Sequence, residues 1–504
     1  MHADSSAILR LNTECLTLTK KEGTAIFHIR TRAFFRAKER PFFKIFSEDI
    51  LAKEDGMSRY TKRDILRMVE EEDVEFIRLQ FSDLFGNLKN AAVTASQLER
   101  VLEQGYVFDG SCVEGFLHEN DMDMFLHPDL DTLAVFPWRP QQGKVARLIC
   151  DICRPDGSPY AGDPRGILKR AVKEAEEMGY RFDVGPECEF FLFHTDNDGN
   201  PTTFSHERAG FCDMSPIDLG ENARRDIILT LEEMGFEVES SYHEVASAQH
   251  QIDFRYDEAL QTADNIMTFK LAVKTISKRF GLHATFMPKP LSGVNGSSMH
   301  TNMSLSRDGR NIFRDAEEPN GLSKEALWFI GGLLKHAKGI SAVTNPLVNS
   351  YKRIFPAHTA AGNTAPSYVS WSAANRSQLI RIPALRGENT RIELRSPDPS
   401  CNPYLALAVC LAAGLDGIRN QIEPPAPVDC DVRKMTEKER ARLGIEPLPH
   451  SLEEALREME ADSLVRGVLG ESISRSYIQA KREEWEEYCA QVSAWETERY
   501  LYRF

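Results

Sequence analysis

After residue 163, apolar strand segments alternate with amphipathic helical segments, and this alternation restricts the fold more than any other feature. The strand segments ECEFFLF, HQIDFRY and TNMSLS are separated by the helical segments ENARRDIILTLEEMG and NIMTFKLAVKTISKRFG. Such a mixture predicts an α+β domain built on a largely antiparallel sheet. Beyond Pro424 the pattern is helical, and Ser451 with Glu454 forms a capping-box pattern before ALREME.

A shorter region before residue 163 has its own strand and helix signals. Thr61 is predicted to be the N-cap of an amphipathic helix, and VEFIRLQFSDLFGNLKNAAV predicts a strand, a glycine-containing turn and a second strand. Asp163 and Pro164 are typical of a helix start. We therefore predict a small domain over residues 57–162 and a larger one over residues 163–504, within the roughly two to three domains that the length suggests.

Residues 1–56 carry neither pattern and include the basic, aromatic segment IRTRAFFRAKERPFFKIF. We expect a disordered extension here, or the product of a start assigned upstream of a native start at Met57. A transit peptide is a third interpretation because the segment is rich in arginine, although serine is scarce.

The overall charge and the cysteines restrict partners and compartment. A net charge of −15 argues against a nucleic-acid partner, which would need an excess of lysine and arginine. No apolar run approaches the roughly 18 residues of a membrane-spanning helix, so no membrane partner is expected. The ten cysteines have no regular spacing, and Cys150 and Cys153 fall in the predicted strand KVARLICDIC. These features predict ordinary thiols in a reducing compartment, the cytoplasm.

Several predicted strands carry residues that could ligate a metal. Glu187 and Glu189 alternate along GPECEFFLF, so both carboxylates point to one face of the sheet. A solvated face would account for this pair alone, but the strand is otherwise strongly apolar. Other segments supply Glu244, Gln251, His300 and Glu393, the last between Arg391 and Arg395.

Carboxylates and a histidine beside arginines indicate a particular chemistry. They fit oxygen-ligated Mg²⁺ or Mn²⁺ better than a closed zinc site. Two such cations with an arginine cluster are typical of phosphoryl transfer. The chain has no Walker lysine motif and no GxGxxG, so a standard nucleotide-binding fold is not indicated.

From Met57 to Phe504 the chain resembles type I glutamine synthetases, particularly the form typical of Gram-positive bacteria. The resemblance is carried by FDGSCVEGF, DLDTLAVFPW, GPECEFFLF, LGENARRDI, HATFMPKPL, NRSQLIRIP and CNPYLALAVCLAAGLDG. It implies a β-grasp domain before a catalytic domain, and a cytoplasmic dodecamer of two stacked hexameric rings. It also implies ATP-dependent joining of the γ-carboxylate of glutamate to ammonia through a γ-glutamyl phosphate.

The resemblance further implies roles for individual residues. One cation would be held by Glu189, Glu244 and Gln251, and the other, nearer the ATP phosphates, by Glu187, His300 and Glu393. Glutamate would be held by Asn295, Gly296, His300, Arg353 and Arg395. The phosphates would be neutralised by Arg376, Arg381 and Arg391, and Asp109 would take up ammonium in a neighbouring subunit's site. Arg353 and Arg376 would act with Asp109 in catalysis.

The chain departs from the family around the acceptor. In the lengthened loop SYKRIFPAHTAAGNTAP, Thr364 stands where a glutamate is expected to deprotonate ammonium, and threonine cannot accept a proton near neutral pH. Cys112 replaces a serine, Phe211 a tyrosine, Gln251 a glutamate and Ser298 a glycine. The amide of Gln251 brings no negative charge, so a weak cation site is expected there. Two alternatives therefore stand beside ammonia ligation: a ligase for a bulkier amine, or a weakly active regulatory paralogue.

Overall fold

The computed structural model describes residues 10–11, 14–15, 58–116, 123–140, 142–318, 321–355 and 365–504. The predictions for Thr364 and Met57 lie outside these residues, as does nearly all of the extension at residues 1–56. Within that extension, strands Arg10–Leu11 and Glu14–Cys15 pair antiparallel. The chain divides into one unit over Met1–Met57 and a second over Ser58–Phe504. The second unit contains everything described below, and a boundary at residues 162–163 within it stays a prediction.

The first sheet of this unit has six strands. Its order is Leu88–Thr94, Val74–Ser82, Lys144–Cys153, Asp123–Pro128 and Tyr106–Asp109, with Ala134–Val135 paired to Lys144–Cys153. Helices Lys62–Glu71 and Ala95–Gln104 accompany it. Thr61 caps the first helix, since its hydroxyl accepts a hydrogen bond from the Asp64 amide while the Asp64 carboxylate binds the Thr61 amide. The predicted cap and the predicted strand–turn–strand are confirmed.

The second sheet has ten strands and carries the site. Its main path is Val238–His243, Gln249–Phe254, Arg181–His194, Met299–Arg307, Ile392–Leu394, Ile380–Arg381 and Trp371–Ser372, and the short strands Asp257–Glu258, Leu282–Thr285 and Arg310–Asn311 pair at its sides. We call Arg181–His194 the central strand. All pairs are antiparallel except Trp371–Ser372 with Ile380–Arg381, so the predicted mainly antiparallel sheet is confirmed.

The central strand has one face for packing and one for the site. Cys188, Phe190 and Leu192 lie in an apolar core with residues of helices Glu221–Glu233 and Ala259–Ser277. Because side chains alternate along a strand, Glu187 and Glu189 face the other way. Helix Ala259–Ser277 begins earlier than the predicted segment, because its first turns are also buried in the core.

Seven of the remaining helices contribute to one apolar core, namely Pro164–Glu177, Lys324–Thr344, Val348–Ile354, Pro403–Asn420, Leu452–Ala461, Ser463–Leu469 and Glu471–Ala490. Helices Glu437–Arg442 and Ala494–Tyr500 bury no residue. Ser451 caps Leu452–Ala461 as predicted, but the Glu454 carboxylate accepts from the His450 amide at 2.8 Å, so the predicted reciprocal contact is replaced. Among the helices of the described part of the chain, none is long and apolar enough to cross a membrane.

Candidate active site

A cavity of about 170 Å³ lies over the site face of the ten-stranded sheet. Most residues of the predicted site line it, namely Glu187, Glu189, Glu244, Gln251, Asn295, Gly296, His300, Arg353, Arg376 and Arg395. Of the described residues in the predicted site, Asp109, Arg381, Arg391 and Glu393 are not in this lining. The fold therefore gathers segments of chain from Glu187 to Arg395 into one polar cavity.

Glu187, His300 and Glu393 form a compact group of metal-ligand type. Each offers one ligand atom, and the three atoms lie within 4.8 Å of one another. Glu187 and His300 are cross-strand partners, and His300 Nδ1 is 3.0 Å from Glu187 Oε2. Burial opposes ionisation of Glu187, but hydrogen bonds from His300 and Asn302 bring its pKa to about 2. Two carboxylates and an imidazole fit Mg²⁺ or Mn²⁺ by donor chemistry.

Glu393 is fully buried and is already paired with arginines. Arg381 faces it across the strand pair and donates from Nε to Glu393 Oε2 at 2.6 Å. Arg395 forms an ion pair with the other carboxylate oxygen. Glu393 thus forms ion pairs with two guanidinium groups, and its Oε1 also lies 3.7 Å from His300 Nδ1.

Glu189, Glu244 and Gln251 also line the cavity. Gln251 is the cross-strand partner of Glu189, and Glu244 belongs to the turn before strand Gln249–Phe254. Burial and the neighbouring Glu189 charge raise the pKa of Glu244 to about 8. Like-charged buried carboxylates are stabilised by a cation between them, so these residues also fit an oxygen-ligated metal, with one charge fewer than three carboxylates would supply.

Ser298, which the sequence marked only as a departure, contacts a proposed ligand. Its hydroxyl donates to Glu189 Oε1 at 2.6 Å and its amide to Oε2 at 2.9 Å. Gln249 Nε2 adds a third hydrogen bond to Oε2 at 2.8 Å. These donors fix the Glu189 carboxylate and leave it fewer free lone pairs for a cation.

The part of the cavity predicted to hold glutamate is polar and rigid. Arg353 is almost fully buried and donates to the carbonyl oxygens of Ser396 at 2.7 Å and Arg395 at 3.0 Å. Asn295 Oδ1 is buried, and no donor among the described residues reaches it. A Cβ at Gly296 would lie 2.2 Å from a backbone carbonyl oxygen, so only glycine fits there.

Apolar side chains line the cavity where the acceptor departures fall. Phe211 is 61% exposed and its ring packs edge-on against Tyr242, with centroids 5.6 Å apart. Val245 also lines the cavity and is 49% exposed. Cys112 lies elsewhere, on the first sheet's edge, where its thiol is 3.5 Å from the Asp109 carboxylate.

A second group of metal-ligand type, missed from the sequence, surrounds Glu207. It contains Glu207, Asp218, His243 and His250, all buried. The guanidinium of Arg224 already lies in it, 2.8 Å from Asp218 and 2.9 Å from His250 Nδ1. A cationic group thus already occupies the position between these side chains, and we interpret the group as structural.

Glu207 fixes the turn that carries Glu244. Its Oε1 accepts from the Ala248 amide at 2.7 Å and contacts His243 Nε2 at 2.6 Å, while Oε2 accepts from the Leu219 amide at 2.8 Å. Burial opposes ionisation, but the hydrogen bonds from His243 and the Ala248 amide lower the pKa of Glu207 to about 2. Glu207 lies in an irregular segment with no periodicity, so no sequence signal indicated its role.

Comparison with known proteins identifies matching families and relatives. The family profile described as glutamine synthetase, catalytic domain, matches residues 161–500, and that described as glutamine synthetase, beta-Grasp domain, matches residues 73–155. A glutamine synthetase of Clostridium saccharobutylicum is 57% identical over 448 residues, which cover 89% of this chain and 100% of that protein. One of Staphylococcus aureus (strain Mu50) is 52% identical over 446 residues, 88% of this chain and 99% of that protein.

Solved structures agree with these matches. A structure titled GmaS/ADP complex has a TM-score of 0.80 and 34% identity, covering 87% of this chain and 99% of that one. A Plasmodium falciparum glutamine synthetase has a TM-score of 0.77 and 25% identity, covering 88% and 99%.

The two-part fold and the polar cavity on its antiparallel sheet define a ligase with a β-grasp domain and a catalytic domain. Within that class, the chain belongs to the glutamine synthetase family. The predicted family and fold class are confirmed.

Proposed function

We propose that the protein is an ATP-dependent ligase that joins the γ-carboxylate of glutamate to ammonia, forming glutamine. A carboxylate oxygen of glutamate attacks the γ-phosphorus of ATP and ADP leaves. The nitrogen of ammonia then attacks the acyl carbon, the bond to phosphate breaks, and a proton passes to solvent. One observation carries this proposal: a single cavity is lined by ligands of both proposed cations, Glu187 and His300 for one and Glu189, Glu244 and Gln251 for the other, together with Arg353, Arg376 and Arg395.

Each group of side chains in the site has a proposed role. One Mg²⁺ or Mn²⁺ would be held by Glu187, His300 and Glu393, and the other by Glu189, Glu244 and Gln251. The two cations would neutralise charge at the transferred phosphoryl group. Arg353 and Arg395, with Asn295 and Gly296, bind and orient glutamate. The phosphates are neutralised by Arg376, Arg381 and Arg391.

The assembly is part of the proposal. Asp109 is exposed on the first sheet and binds ammonium in the site of a neighbouring subunit, within a cytoplasmic dodecamer of two hexameric rings. Native mass spectrometry at micromolar concentration tests this, and monomers alone would contradict the shared site.

Release of ADP with glutamate and ammonium, with glutamine detected by mass spectrometry, tests the reaction. His300→Ala is the control, because it removes a cation ligand. ADP release that requires glutamate and disappears in the control supports the proposal. Absence of ADP release with glutamate and any amine contradicts it.

A second candidate, a ligase for a bulkier amine, is favoured by the apolar lining at Phe211 and Val245. An ammonium ion needs polar partners when it loses water, whereas an alkyl or aryl amine gains from apolar contact. A panel of amines at equal concentration separates the two functions. A lower KM for ammonium than for every organic amine would exclude the bulkier acceptor, and Phe211→Tyr should shift the preference towards ammonium.

A further inference from the structure

We propose that the carboxylate of Asp253 orients the side-chain amide of Gln251, so that the amide oxygen faces the cation position of Glu189 and Glu244. Gln251 Nε2 donates to Asp253 Oδ1 at 2.7 Å. The two residues are two positions apart on strand Gln249–Phe254, so their side chains leave the same face. The inference rests on the proposed function, because it concerns the cation held by Glu189, Glu244 and Gln251.

Orientation matters for an amide but not for a carboxylate. An amide has an acceptor at one end and two donors at the other, whereas a carboxylate accepts at both ends. A divalent cation of this type binds oxygen, so a reversed Gln251 amide would present N–H groups to it and lose the ligand. The substitution of glutamate by Gln251 therefore creates a need for a neighbour that selects one of the two orientations.

Asp253 is suited to this selection because it is itself held. Ser240 Oγ, on the adjacent strand Val238–His243, donates to Asp253 Oδ2 at 2.6 Å. Its other oxygen, Oδ1, accepts the hydrogen bond from the Gln251 amide nitrogen. Among the described residues none donates a hydrogen bond to Gln251 Oε1, and Gln251 lines the cavity.

The competing partner for the amide nitrogen is Glu189, which lies opposite Gln251 in the ladder. Glu189 already accepts hydrogen bonds from the Ser298 hydroxyl and amide and from Gln249. Its oxygens thus have little need of a further donor, and the Gln251 nitrogen is left to Asp253. The oxygen end of the amide then joins Glu189 and Glu244 as a ligand.

A double-mutant cycle on the full chain tests this orientation. Binding of Mn²⁺ is followed by the electron paramagnetic resonance signal of the free ion, without nucleotide, in the wild type, Asp253→Asn, Gln251→Glu and the double variant. In the Gln251 background, Asp253→Asn should weaken the weaker class of Mn²⁺ sites by about 10- to 100-fold, because an asparagine amide both donates and accepts and so no longer selects one orientation of the Gln251 amide. In the Gln251→Glu background it should not weaken them, because a carboxylate has no nitrogen end to turn away.

Ser240→Ala serves as the matched variant, since it loosens Asp253 without changing any charge. It should weaken Mn²⁺ binding in the Gln251 background alone. Equal weakening by Asp253→Asn in both backgrounds would overturn the inference, because a simple loss of charge would then explain it. Thermal unfolding of every variant establishes that each is folded.

Glu244→Gln separates this inference from the proposed cation position itself. If it weakens Mn²⁺ binding but Asp253→Asn acts equally in both backgrounds, only the orientation is wrong. If Glu244→Gln leaves both classes of Mn²⁺ site unchanged, the cation position is wrong and the inference fails with it.

Discussion

Replacement of Glu393 by alanine should lower the stability of the protein and abolish its activity. The Glu393 side chain is 0% exposed, and its partners Arg381 and Arg395 are 13% and 4% exposed. Removing the carboxylate leaves two nearly buried guanidinium groups with no counter-charge at this point. Breaking a buried ion pair from one side costs roughly 3–5 kcal/mol. We expect Glu393→Ala to lower the free energy of unfolding by about that amount and to abolish ADP release.

His300→Ala is the matched comparison, because it removes a ligand of the same cation without exposing a buried charge. His300 Nδ1 contacts the carboxylates of Glu187 and Glu393, which retain Asn302 and the arginines as partners. The loss of one hydrogen bond to a charged group costs about 1.5–3 kcal/mol at most. ADP release should nevertheless be lost as completely as in Glu393→Ala.

Urea unfolding of both variants without added cation, beside ADP release with glutamate and ammonium, measures the two effects. Adding Arg381→Met to Glu393→Ala should recover part of the stability, since it removes one uncompensated charge, but no activity. The reasoning fails if Glu393→Ala unfolds at the same urea concentration as His300→Ala, since the arginine pairs would then contribute nothing.

Three further substitutions test other parts of the structure. Glu207→Gln should lower the free energy of unfolding by about 3 kcal/mol at pH 7, because folding lowers the pKa of the Glu207 carboxyl from 4.5 to about 2. Because that stabilisation is present above pH 4.5 and is lost as the pH falls towards 2, urea midpoints of the two proteins should converge on acidification. Gly296→Ala, whose Cβ would lie 2.2 Å from a carbonyl oxygen, should raise the KM for glutamate at least tenfold in the ADP assay, roughly the effect of 1.4 kcal/mol. Gly417→Ala, with its Cβ 2.0 Å from a carbonyl oxygen, should lower the melting temperature, whereas Gly467→Ala, with nothing within 4 Å, should raise stability by about 0.5–1 kcal/mol.

The residues of the central strand that face the site could be predicted, because side chains alternate between the two faces of a strand. Glu187 and Glu189 are two positions apart, and so are Gln251 and Asp253 on the neighbouring strand. The same rule would have placed Asp253 beside Gln251, but an aspartate in HQIDF carries no separate signal of function. Its role becomes visible only through the contact with the Gln251 amide.

Contacts that depend on strand register or on irregular backbone could not be predicted. Arg381 was expected to face phosphate, yet the register places it opposite Glu393, and its role at phosphate stays a prediction. Register is a long-range property that no local pattern in NRSQLIRIP specifies. Glu207 likewise acts through backbone amides at Leu219 and Ala248 that only the folded chain brings to it.

The two steps of the proposed reaction, phosphoryl transfer and attack by the amine, depend on parts of the structure that differ in how well they tolerate substitution. The proposed cation ligands Glu187, His300 and Glu393 lie on paired strands, where a shift of one residue would turn every side chain to the other face. Phe211 and Val245 belong instead to segments outside the ladder, where substitution leaves strand pairing intact. A family member can therefore change the amine it accepts while retaining phosphoryl transfer. The departure at Phe211 would therefore alter the acceptor rather than abolish the enzyme, whereas the departure at Gln251 changes a proposed cation ligand within the ladder.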